Sequence, residues 1–285
     1  MQQQLVEQFI RERMYFKNVA PKTVLWYRQS FHAFEGAMDG KAAIGERIIR
    51  LRNAGVSAVS VNTYLRTLNA FFRWAHAEGH VAELLRVAKL KEEQKVIATL
   101  VPEQIRRLIE FKPKRKSEQR LHTLACLLLD SGLRIDEALS LRSEDVDLDN
   151  FLLRVHGKGG KDRVIPISVE MRKLMWRWLK TQRGDGGLIF PTRTGTKLNY
   201  RNTLDDFKRL GKHLKITGVR FSFHTLRHTF AVNYIRNGGD VFRLQRVLGH
   251  STLEMTRRYV NLQTSDLQAV HSKLSLLSGR GYRTP

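Results

Sequence analysis

The sequence predicts a mainly α protein that carries one small antiparallel β-sheet and is divided into two domains. Apolar residues recur at helical spacing through the first ninety residues, and a charged stretch then interrupts this pattern. Farther along, one segment alternates apolar and polar side chains on both sides of a glycine-rich turn, as a β-hairpin does. We therefore expect a helical domain at residues 1–90, a linker at 91–99 and a second domain at 100–285.

The first domain is predicted to be a bundle of helices. Pro21 marks the start of one helix, because proline is favoured in the first turn. A second helix at about 57–78 gathers its apolar residues on one stripe and leaves Arg66 and Arg73 outward. An ordinary bundle has the same pattern, but the covalent link to a more basic domain favours a bundle that grips DNA. The side chains expected to contact DNA from this domain are Lys22, Arg28, Arg66 and Arg73.

The second domain is predicted to combine helices with a hairpin. Residues 151–155 alternate in polarity, Gly157–Lys161 turns, and residues 163–167 return as the second strand. A third short strand is expected at Leu188-Ile-Phe-Pro. Helices are expected to open near Pro102 and Arg134 and to cover about 118–131, 169–182, 200–212, 223–236, 241–248, 252–260 and 266–277.

The charge of the chain predicts an anionic partner. There are 50 Lys and Arg residues against 27 Asp and Glu, which gives a formal net charge of +23 and a pI near 10.6. Such a field favours a polyanion, and nucleic acid is the most common one. Residues 101–285 carry a net charge of +17 and residues 1–100 carry +6. We expect the stronger phosphate affinity in the second domain, where Lys161 and Arg163 on the hairpin are predicted to contact DNA.

The single cysteine and the N-terminus bear on the cellular location. Cys126 lies within an apolar run and is predicted to be a buried core thiol. One cysteine permits no internal disulfide, which fits a reducing cytoplasm. No signal peptide and no membrane-spanning segment are expected. The sequence therefore predicts a cytoplasmic protein with no membrane partner.

Six side chains of the second domain suit one reaction, the attack of a phenol on a DNA phosphodiester. They are Arg134, Lys158, His224, Arg227, His250 and Tyr259. A phosphodiester resists cleavage because the nucleophile approaches an anion and an alkoxide must leave. Without a metal, other cations must neutralise the pentavalent intermediate, and an acid must protonate the departing 5′ oxygen. Each residue alone carries little information, but their ordered combination in a strongly basic chain predicts an active site.

The residue types fit separate roles in this scheme. Arg134 and Arg227 can clamp the nonbridging oxygens, because a guanidinium binds two oxygens at once and keeps its charge. Lys158, at the tip of the hairpin, can protonate the leaving oxygen. His224 can assist as a base or an acid near neutral pH.

The last two residues of the set lie close together in the sequence. His250 is expected to hydrogen-bond the phosphate, and Tyr259 is expected to be the nucleophile. A tyrosyl phosphodiester stores the energy of the broken bond, so rejoining needs no ATP. Ser251-Thr-Leu-Glu254 predicts a capping box that opens the helix carrying Tyr259 near its end. Neither a cofactor nor a metal is expected.

Several of these runs resemble the tyrosine recombinase (phage integrase) family. They are Ser131-Gly-Leu-Arg-Ile-Asp-Glu-Ala-Leu, the Gly-Lys-Gly-Gly-Lys-Asp-Arg hairpin at 157–163, His224-Thr-Leu-Arg-His, Leu248-Gly-His and Tyr259. The likeness extends over nearly the whole chain, and residues 57–79 are similar to the core-binding domain of that family. It implies the same six catalytic residues, with Glu137 as a supporting acid.

The resemblance also implies an architecture and an assembly. The two domains would form a C-shaped clamp around double-stranded DNA at an inverted-repeat core site. Strand exchange would pass through a 3′-phosphotyrosyl intermediate and a Holliday junction inside a homotetramer on two DNA duplexes, assembled from a monomer or dimer. The segment 265–277 would dock on a neighbouring subunit.

The sequence departs from the family pattern in two places. Ala82-Glu-Leu-Leu-Arg stands where the family often has Asn-Pro after the second core-binding helix. The chain begins close to the core-binding helices, so we expect no separate arm-site domain, as in a simple Xer-like or transposon-type recombinase.

Three different functions would also fit parts of the pattern. A type IB topoisomerase would use nearly the same residues and chemistry to relax DNA. A noncatalytic DNA-binding regulator would keep the clamp around DNA without turnover. A metal-dependent transposase would need acidic metal ligands, and no trio of carboxylates stands out in the sequence.

Overall fold

The computed structural model describes residues 2–93, 97–157, 162–182, 187–260 and 271–272. The chain separates into two compact units, residues 1–95 and 96–285. Within the described residues the structure is mostly helical with one three-stranded antiparallel sheet. The predicted fold class, mainly α with a small antiparallel sheet, is confirmed. No helix in the described part of the chain is long and apolar enough to cross a membrane.

The first unit is a bundle of helices around an aromatic core. Pro21 occupies the first turn of its helix, and Ser57 caps another by accepting a hydrogen bond from the backbone N–H of Ser60. Phe9, Phe31 and Phe71 pack edge to face with ring centroids 5.4 to 6.0 Å apart. The described helices of this unit are α1 (Gln2–Tyr15), α2 (Pro21–Ala33), α3 (Lys41–Asn53) and α4 (Ala58–Ala77).

The chain that follows α4 remains attached to the first unit. The Asn69 side chain accepts a hydrogen bond from the backbone N–H of Val87 and donates one to its carbonyl, both at 2.9 Å. Asn62 makes the same pair of bonds with Leu90, at 2.7 and 2.9 Å. Two amide side chains of α4 thus hold the backbone of the segment that follows this helix.

The second unit combines eight helices of the described residues with the sheet. They are α5 (Pro102–Ile109), α6 (Lys116–Ser131), α7 (Ile135–Ser140), α8 (Val169–Leu179), α9 (Tyr200–His213), α10 (Phe223–Arg236), α11 (Val241–Leu248) and α12 (Glu254–Arg257). The apolar helix α6 packs against α8 and α10 and is buried along most of its length, which places Cys126 in the core as predicted. The predicted helix at 266–277 lies outside the described residues, apart from 271–272.

The sheet has the strand order β1-β2-β3, with β1 at Val146–Asp147, β2 at Leu152–Val155 and β3 at Arg163–Pro166. The predicted hairpin is β2 and β3, in which Val155 pairs with Arg163. The predicted third strand at Leu188 is wrong, because Leu188 makes only one isolated bridge, to Arg142. Ile189 and Phe190 are instead buried in the core, and Pro191 makes a second isolated bridge, to Lys197, that does not extend into a ladder.

A smaller apolar cluster stands apart from the main core of the second unit. It is formed by buried side chains of α10, α11 and the segment after α12. Its buried members are Ala231, Ile235, Leu244, Leu248 and Tyr259. The ring of Tyr259, the predicted nucleophile, therefore belongs to this smaller cluster and not to the main core.

Candidate active site

The turn between α6 and α7 positions Arg134. Helix α6 ends at Gly132, whose φ of +64° is a left-handed conformation that favours glycine. A Cβ atom there would lie 2.4 Å from the ring of Phe230, so the close approach of α10 also requires glycine. Two residues later Arg134 stands at the N-terminal boundary of α7 with an extended backbone. Arg134 therefore follows directly on the turn that separates α6 from α7.

Glu137 anchors this arginine from one turn farther along α7. Its carboxylate accepts hydrogen bonds from the backbone N–H and the Nη1 of Arg134, at 2.8 and 3.0 Å. It also accepts two bonds from the guanidinium of Arg163, at 3.0 and 2.8 Å. Burial alone would raise the pKa of Glu137, but the bonds from Arg163 and Arg134 outweigh it and the pKa is lowered. Glu137 is thus a buried anion with two cationic partners.

The C-terminal end of α11 binds both predicted phosphate-clamping arginines. The carbonyl oxygen of Leu248 accepts hydrogen bonds from Arg134 Nη1 at 3.2 Å and from Arg227 Nη2 at 2.8 Å. Arg134 Nη2 also donates to the carbonyl of Gly249 at 3.1 Å. The last carbonyls of a helix lack partners within the helix and carry partial negative charge, so they suit two guanidinium groups.

Gly249 allows a third arginine to reach the same helix end. Its φ is +62°, and a Cβ atom would lie 3.0 Å from the guanidinium carbon of Arg163. Arg163 Nε donates to the carbonyl of Val247 at 2.9 Å. This contact and the pair with Glu137 hold the side chain of Arg163 within the site. Its predicted contact with DNA stays a prediction.

Arg227 is the more deeply buried of the two arginines predicted to clamp the phosphate. It is 7% exposed, and its Nη1 donates to the carbonyl of Gly132 at 2.7 Å. Burial, together with the charge of Arg134, lowers the pKa of Arg227 to about 10, so it remains a cation at neutral pH. Arg134 and Arg227 share one acceptor, Leu248, and each has N–H bonds beyond those used in the described contacts. Together they can present donors to one phosphate.

Tyr259 lies two residues after α12 with only 5% of its surface exposed. Its hydroxyl forms a 2.8 Å hydrogen bond with Nδ1 of His228. The ring of Tyr259 is nearly parallel to that of His250, with centroids 6.4 Å apart. Burial raises the pKa of Tyr259, whereas the charges of Arg227 and Arg258 act in the opposite direction. The phenol is therefore protonated in the free protein near neutral pH.

The histidines His250 and His224 are neutral near pH 7. Burial, followed by the charges of Arg227 and Arg134, lowers the pKa of His250 to about 4. Its Nδ1 lies 2.9 Å from the hydroxyl oxygen of the buried Thr256. The pKa of His224 is lowered for the same reasons, burial first.

Four of these groups, Arg134, Glu137, Arg163 and His250, line an open cleft with a volume of about 1590 Å³, whereas Arg227, His224 and Tyr259 are not among its lining residues. Basic side chains dominate its lining. They are Arg134, Arg154, His156, Arg163, Lys197, Arg243, Arg246 and His250. The cleft therefore carries the positive charge that binding of a phosphodiester backbone requires.

The structure brings together five of the six predicted catalytic residues. Arg134, His224, Arg227, His250 and Tyr259 are joined by direct contacts or by mutual effects on pKa. Glu137 lies with them, whereas Lys158 and the predicted DNA contact Lys161 fall outside the described residues. The predicted capping box at Ser251 is wrong: the residue before the helix is Leu253, and Ser251 Oγ lies 3.7 Å from Met255 Sδ.

The predicted DNA contacts of the first unit all lie on its surface. Lys22, Arg66 and Arg73 are exposed, as is Arg28, which pairs with Glu7. Arg66 bonds to the hydroxyl of Thr63 within its own helix. Their contact with DNA stays a prediction.

His228 is the site residue that sequence reasoning missed. It stands in the run His-Thr-Leu-Arg-His, four residues after His224, so it lies one helical turn along the same face. The i,i+4 spacing of the two histidines was the available signal, but a contact with Tyr259 across 31 residues has no local signature.

Sequence comparison places this chain among known proteins. A profile of the phage integrase family matches residues 98–266. Tyrosine recombinase XerA of Thermococcus onnurineus is 30% identical over 263 residues, which covers 91% of this chain and 92% of that protein. Tyrosine recombinase XerD of Pseudomonas aeruginosa is 28% identical over 297 residues, covering 94% and 96% of the two chains.

Solved structures with the same fold include two DNA complexes. The Tn1549 transposon integrase bound to circular intermediate DNA aligns with a TM-score of 0.77 at 23% identity, covering 95% of this chain and 99% of that one. A lambda integrase dimer bound to a core site aligns with a TM-score of 0.73 at 20% identity, covering 90% and 94%. Because the profile matches more than half of the chain and the Thermococcus relative aligns over most of it, the chain belongs to the phage integrase family and is a tyrosine-type site-specific DNA recombinase.

Proposed function

We propose that this chain cuts and rejoins double-stranded DNA at an inverted-repeat core site through a 3′-phosphotyrosyl intermediate and a Holliday junction. The observation that carries the proposal is the position of Tyr259. Its phenol is buried against an imidazole, and the charges of Arg227 and Arg134 act on it. A nucleophile, two phosphate-binding cations and proton carriers thus occur together, as covalent phosphoryl transfer requires.

In the proposed cleavage step, the Tyr259 oxygen attacks the phosphorus and the 5′ oxygen leaves. Arg134 and Arg227 bind the nonbridging oxygens and stabilise charge as it develops there. Since both guanidiniums already share the Leu248 carbonyl, their positions are set before DNA arrives. Lys158, which lies outside the described residues, protonates the leaving oxygen. No step needs a metal or ATP, since the phosphotyrosyl bond keeps the energy of the broken one.

His250 is assigned to the phosphate rather than to proton transfer. With a pKa near 4 it is a neutral donor at physiological pH. If the Thr256 hydroxyl donates to Nδ1, the ring proton resides on Nε2 and can be donated to a phosphate oxygen. Thr256 then fixes both the tautomer and the plane of the ring.

The proposed assembly is a homotetramer on two DNA duplexes. Two relatives of the same fold have been solved on DNA, one of them as a lambda integrase dimer bound to a core site, which supports DNA-dependent association. The segment 265–277 is proposed to dock on a neighbouring protomer. A chain truncated after Thr264 is expected to bind one site but to lose the tetramer in crosslinking on DNA. An unchanged tetramer would contradict the docking.

The decisive experiment is covalent capture. Target duplexes are first selected by binding from a random-sequence pool and then nicked beside the scissile phosphate, so that cleavage is trapped. We expect a protein–DNA adduct at Tyr259 that also forms in EDTA, and none with Tyr259→Phe, which should still bind the duplex. An adduct at another side chain, or loss of cleavage on chelation, would overturn the proposal. Relaxation of supercoiled DNA without sequence preference would favour a topoisomerase instead.

A further inference from the structure

Among the described residues, His228 is the imidazole that directly contacts the nucleophilic oxygen. The 2.8 Å distance from its Nδ1 to the Tyr259 hydroxyl is that of a good O–H···N hydrogen bond. The two rings are 5.6 Å apart and inclined by 50°, so the phenol meets the edge of the imidazole, where its nitrogen lies. His224, by contrast, lies beside His228, with the centroids of the two rings 6.4 Å apart.

The direction of this hydrogen bond follows from the charges around it. Burial, followed by the nearby Arg258, His224 and Arg227, lowers the pKa of His228 to about 4. Burial raises the pKa of Tyr259. At neutral pH the imidazole is therefore neutral and the phenol is protonated, so the Tyr259 O–H donates and Nδ1 accepts. The remaining ring proton of His228 is on Nε2.

We propose that His228 is a catalytic base, which takes the proton of Tyr259 when the phenolic oxygen attacks the DNA phosphate. This inference rests on the proposed function and names the acceptor for its first step. The bond from oxygen to phosphorus forms as the O–H bond breaks, and the proton moves to Nδ1. The bond from phosphorus to the 5′ oxygen breaks, and that oxygen takes a proton from Lys158. On rejoining, the imidazolium returns its proton to the departing phenol.

The surrounding cations, after burial, keep the basicity of His228 low in the free enzyme. Arg227 and Arg258 disfavour a positive imidazole in the free enzyme, and the guanidinium of Arg258 lies 6.0 Å from the Tyr259 ring. A bound phosphate brings negative charge to these cations and offsets their effect on His228. The imidazole becomes more basic as the substrate arrives. His224 and His250 are further titratable rings near this pair.

A substrate with a bridging sulfur separates the removal of the Tyr259 proton from the protonation of the leaving group. In such a duplex the 5′ oxygen of the scissile phosphate is replaced by sulfur, and the thiolate leaves without needing a proton. Lys158→Ala should therefore cleave it at nearly the wild-type rate. His228→Asn should remain slow by about a hundredfold or more, the usual contribution of a general base. Asparagine keeps a hydrogen-bond acceptor near the position of Nδ1 but does not take up a proton at neutral pH.

The pH profile gives a second readout that a purely structural role would not change. With the sulfur substrate, cleavage by wild type should be level from neutral to mildly alkaline pH. His228→Asn should become faster as pH rises, because hydroxide must then ionise Tyr259. Replacing Tyr259 with a difluorotyrosine, a more acidic phenol, should restore much of the lost rate. His76→Asn, on the surface of the first unit, is the matched control and should behave as wild type.

The outcomes separate the two proposals. If wild type forms no adduct at Tyr259, the proposed function fails. If it does, and His228→Asn cleaves at the wild-type rate or keeps the wild-type pH profile, only the role of His228 fails. DNA binding and thermal melting of His228→Asn check that the variant is folded. Should it not fold, the solvent deuterium isotope effect of wild type on the sulfur substrate decides, since the absence of any slowing would overturn the proton transfer.

Discussion

The carboxylate of Glu137 accepts two hydrogen bonds from the guanidinium of Arg163 while it also holds Arg134. The side chain of Glu137 is only 10% exposed, so its charge depends on these partners for stabilisation. The pair connects α7 to β3, and Arg163 extends the connection to the end of α11 through Val247. The position of a proposed catalytic arginine thus depends on contacts from three separate elements.

Replacing Glu137 with Gln should give a pH-dependent loss of stability. The folded-state pKa of Glu137 is below its usual value, so its stabilisation is present above the unfolded pKa and is lost as pH falls through the folded pKa. Near pH 7 we expect Glu137→Gln to lower the free energy of unfolding by about 1–3 kcal/mol. Denaturant titrations from pH 7 to pH 3 should show this difference shrinking. Glu144→Gln, at an exposed ion pair, should show little difference at any pH, and a Glu137 effect independent of pH would contradict the linkage.

The two clamping arginines should differ in their effect on stability. Both Arg134→Ala and Arg227→Ala are expected to bind DNA nearly normally and to lose cleavage. Removing Arg227 takes buried hydrogen-bond donors from the Gly132 and Leu248 carbonyls, which should cost about 1–3 kcal/mol, whereas the bonds of Arg134 to the Leu248 and Gly249 carbonyls lie nearer the surface. Arg134 has 40% of its side chain exposed, and Glu137 keeps its bonds to Arg163 when Arg134 is absent, so the stability loss should be smaller. Urea unfolding and covalent capture measure the two effects, and equal stability losses would refute this distinction.

Gly249→Ala should affect catalysis as well as stability. Both Gly249 and Gly238 have positive φ, so alanine at either position should strain the backbone by about 1 kcal/mol. Only at Gly249 does the added Cβ approach the Arg163 guanidinium; at Gly238 nothing lies within 4 Å. We expect Gly249→Ala to cleave more slowly and Gly238→Ala to cleave like wild type at a temperature where both are folded. Equal cleavage by the two variants would show that Arg163 accommodates the extra atom.

Salt dependence can test the predicted DNA contacts of the first unit. Each neutralised phosphate should contribute roughly 0.9 to the slope of log affinity against log salt. Arg73→Ala should reduce that slope by about one unit and weaken binding to all sequences alike. Arg106→Ala serves as the control, because Arg106 is paired with Glu103 on an exposed helix and no DNA contact is predicted for it. An unchanged slope for Arg73→Ala would remove that residue from the interface.

Much of the fold was predictable because its signals are local. Alternating polarity indicated the hairpin, and Gly132 indicated the end of α6. The third strand was misplaced because Leu188-Ile-Phe has β-type side chains, yet Ile189 and Phe190 fill the core and the segment forms isolated bridges in place of a ladder. Strand pairing depends on partners distant in the sequence, which a short window does not contain.

The site was predictable in its residue types but not in the contacts among them. The basic and aromatic side chains were visible because their chemistry is specific. Nothing in the sequence indicated that the carbonyls of Leu248 and Gly249 accept hydrogen bonds from Arg134, since every residue has a carbonyl. The contact between His228 and Tyr259 likewise depends on how α10 meets the segment after α12.

The small core that includes Tyr259 has a consequence for heat inactivation. The ring belongs to a cluster with Ala231, Ile235, Leu244 and Leu248 that is separate from the main core, so we expect this cluster to open while the rest of the unit stays folded. Warming should therefore displace Tyr259, the proposed nucleophile, before the molecule melts, and the upper working temperature should be set by this local event. Amides of α11 should then exchange with deuterated solvent sooner than those of α6.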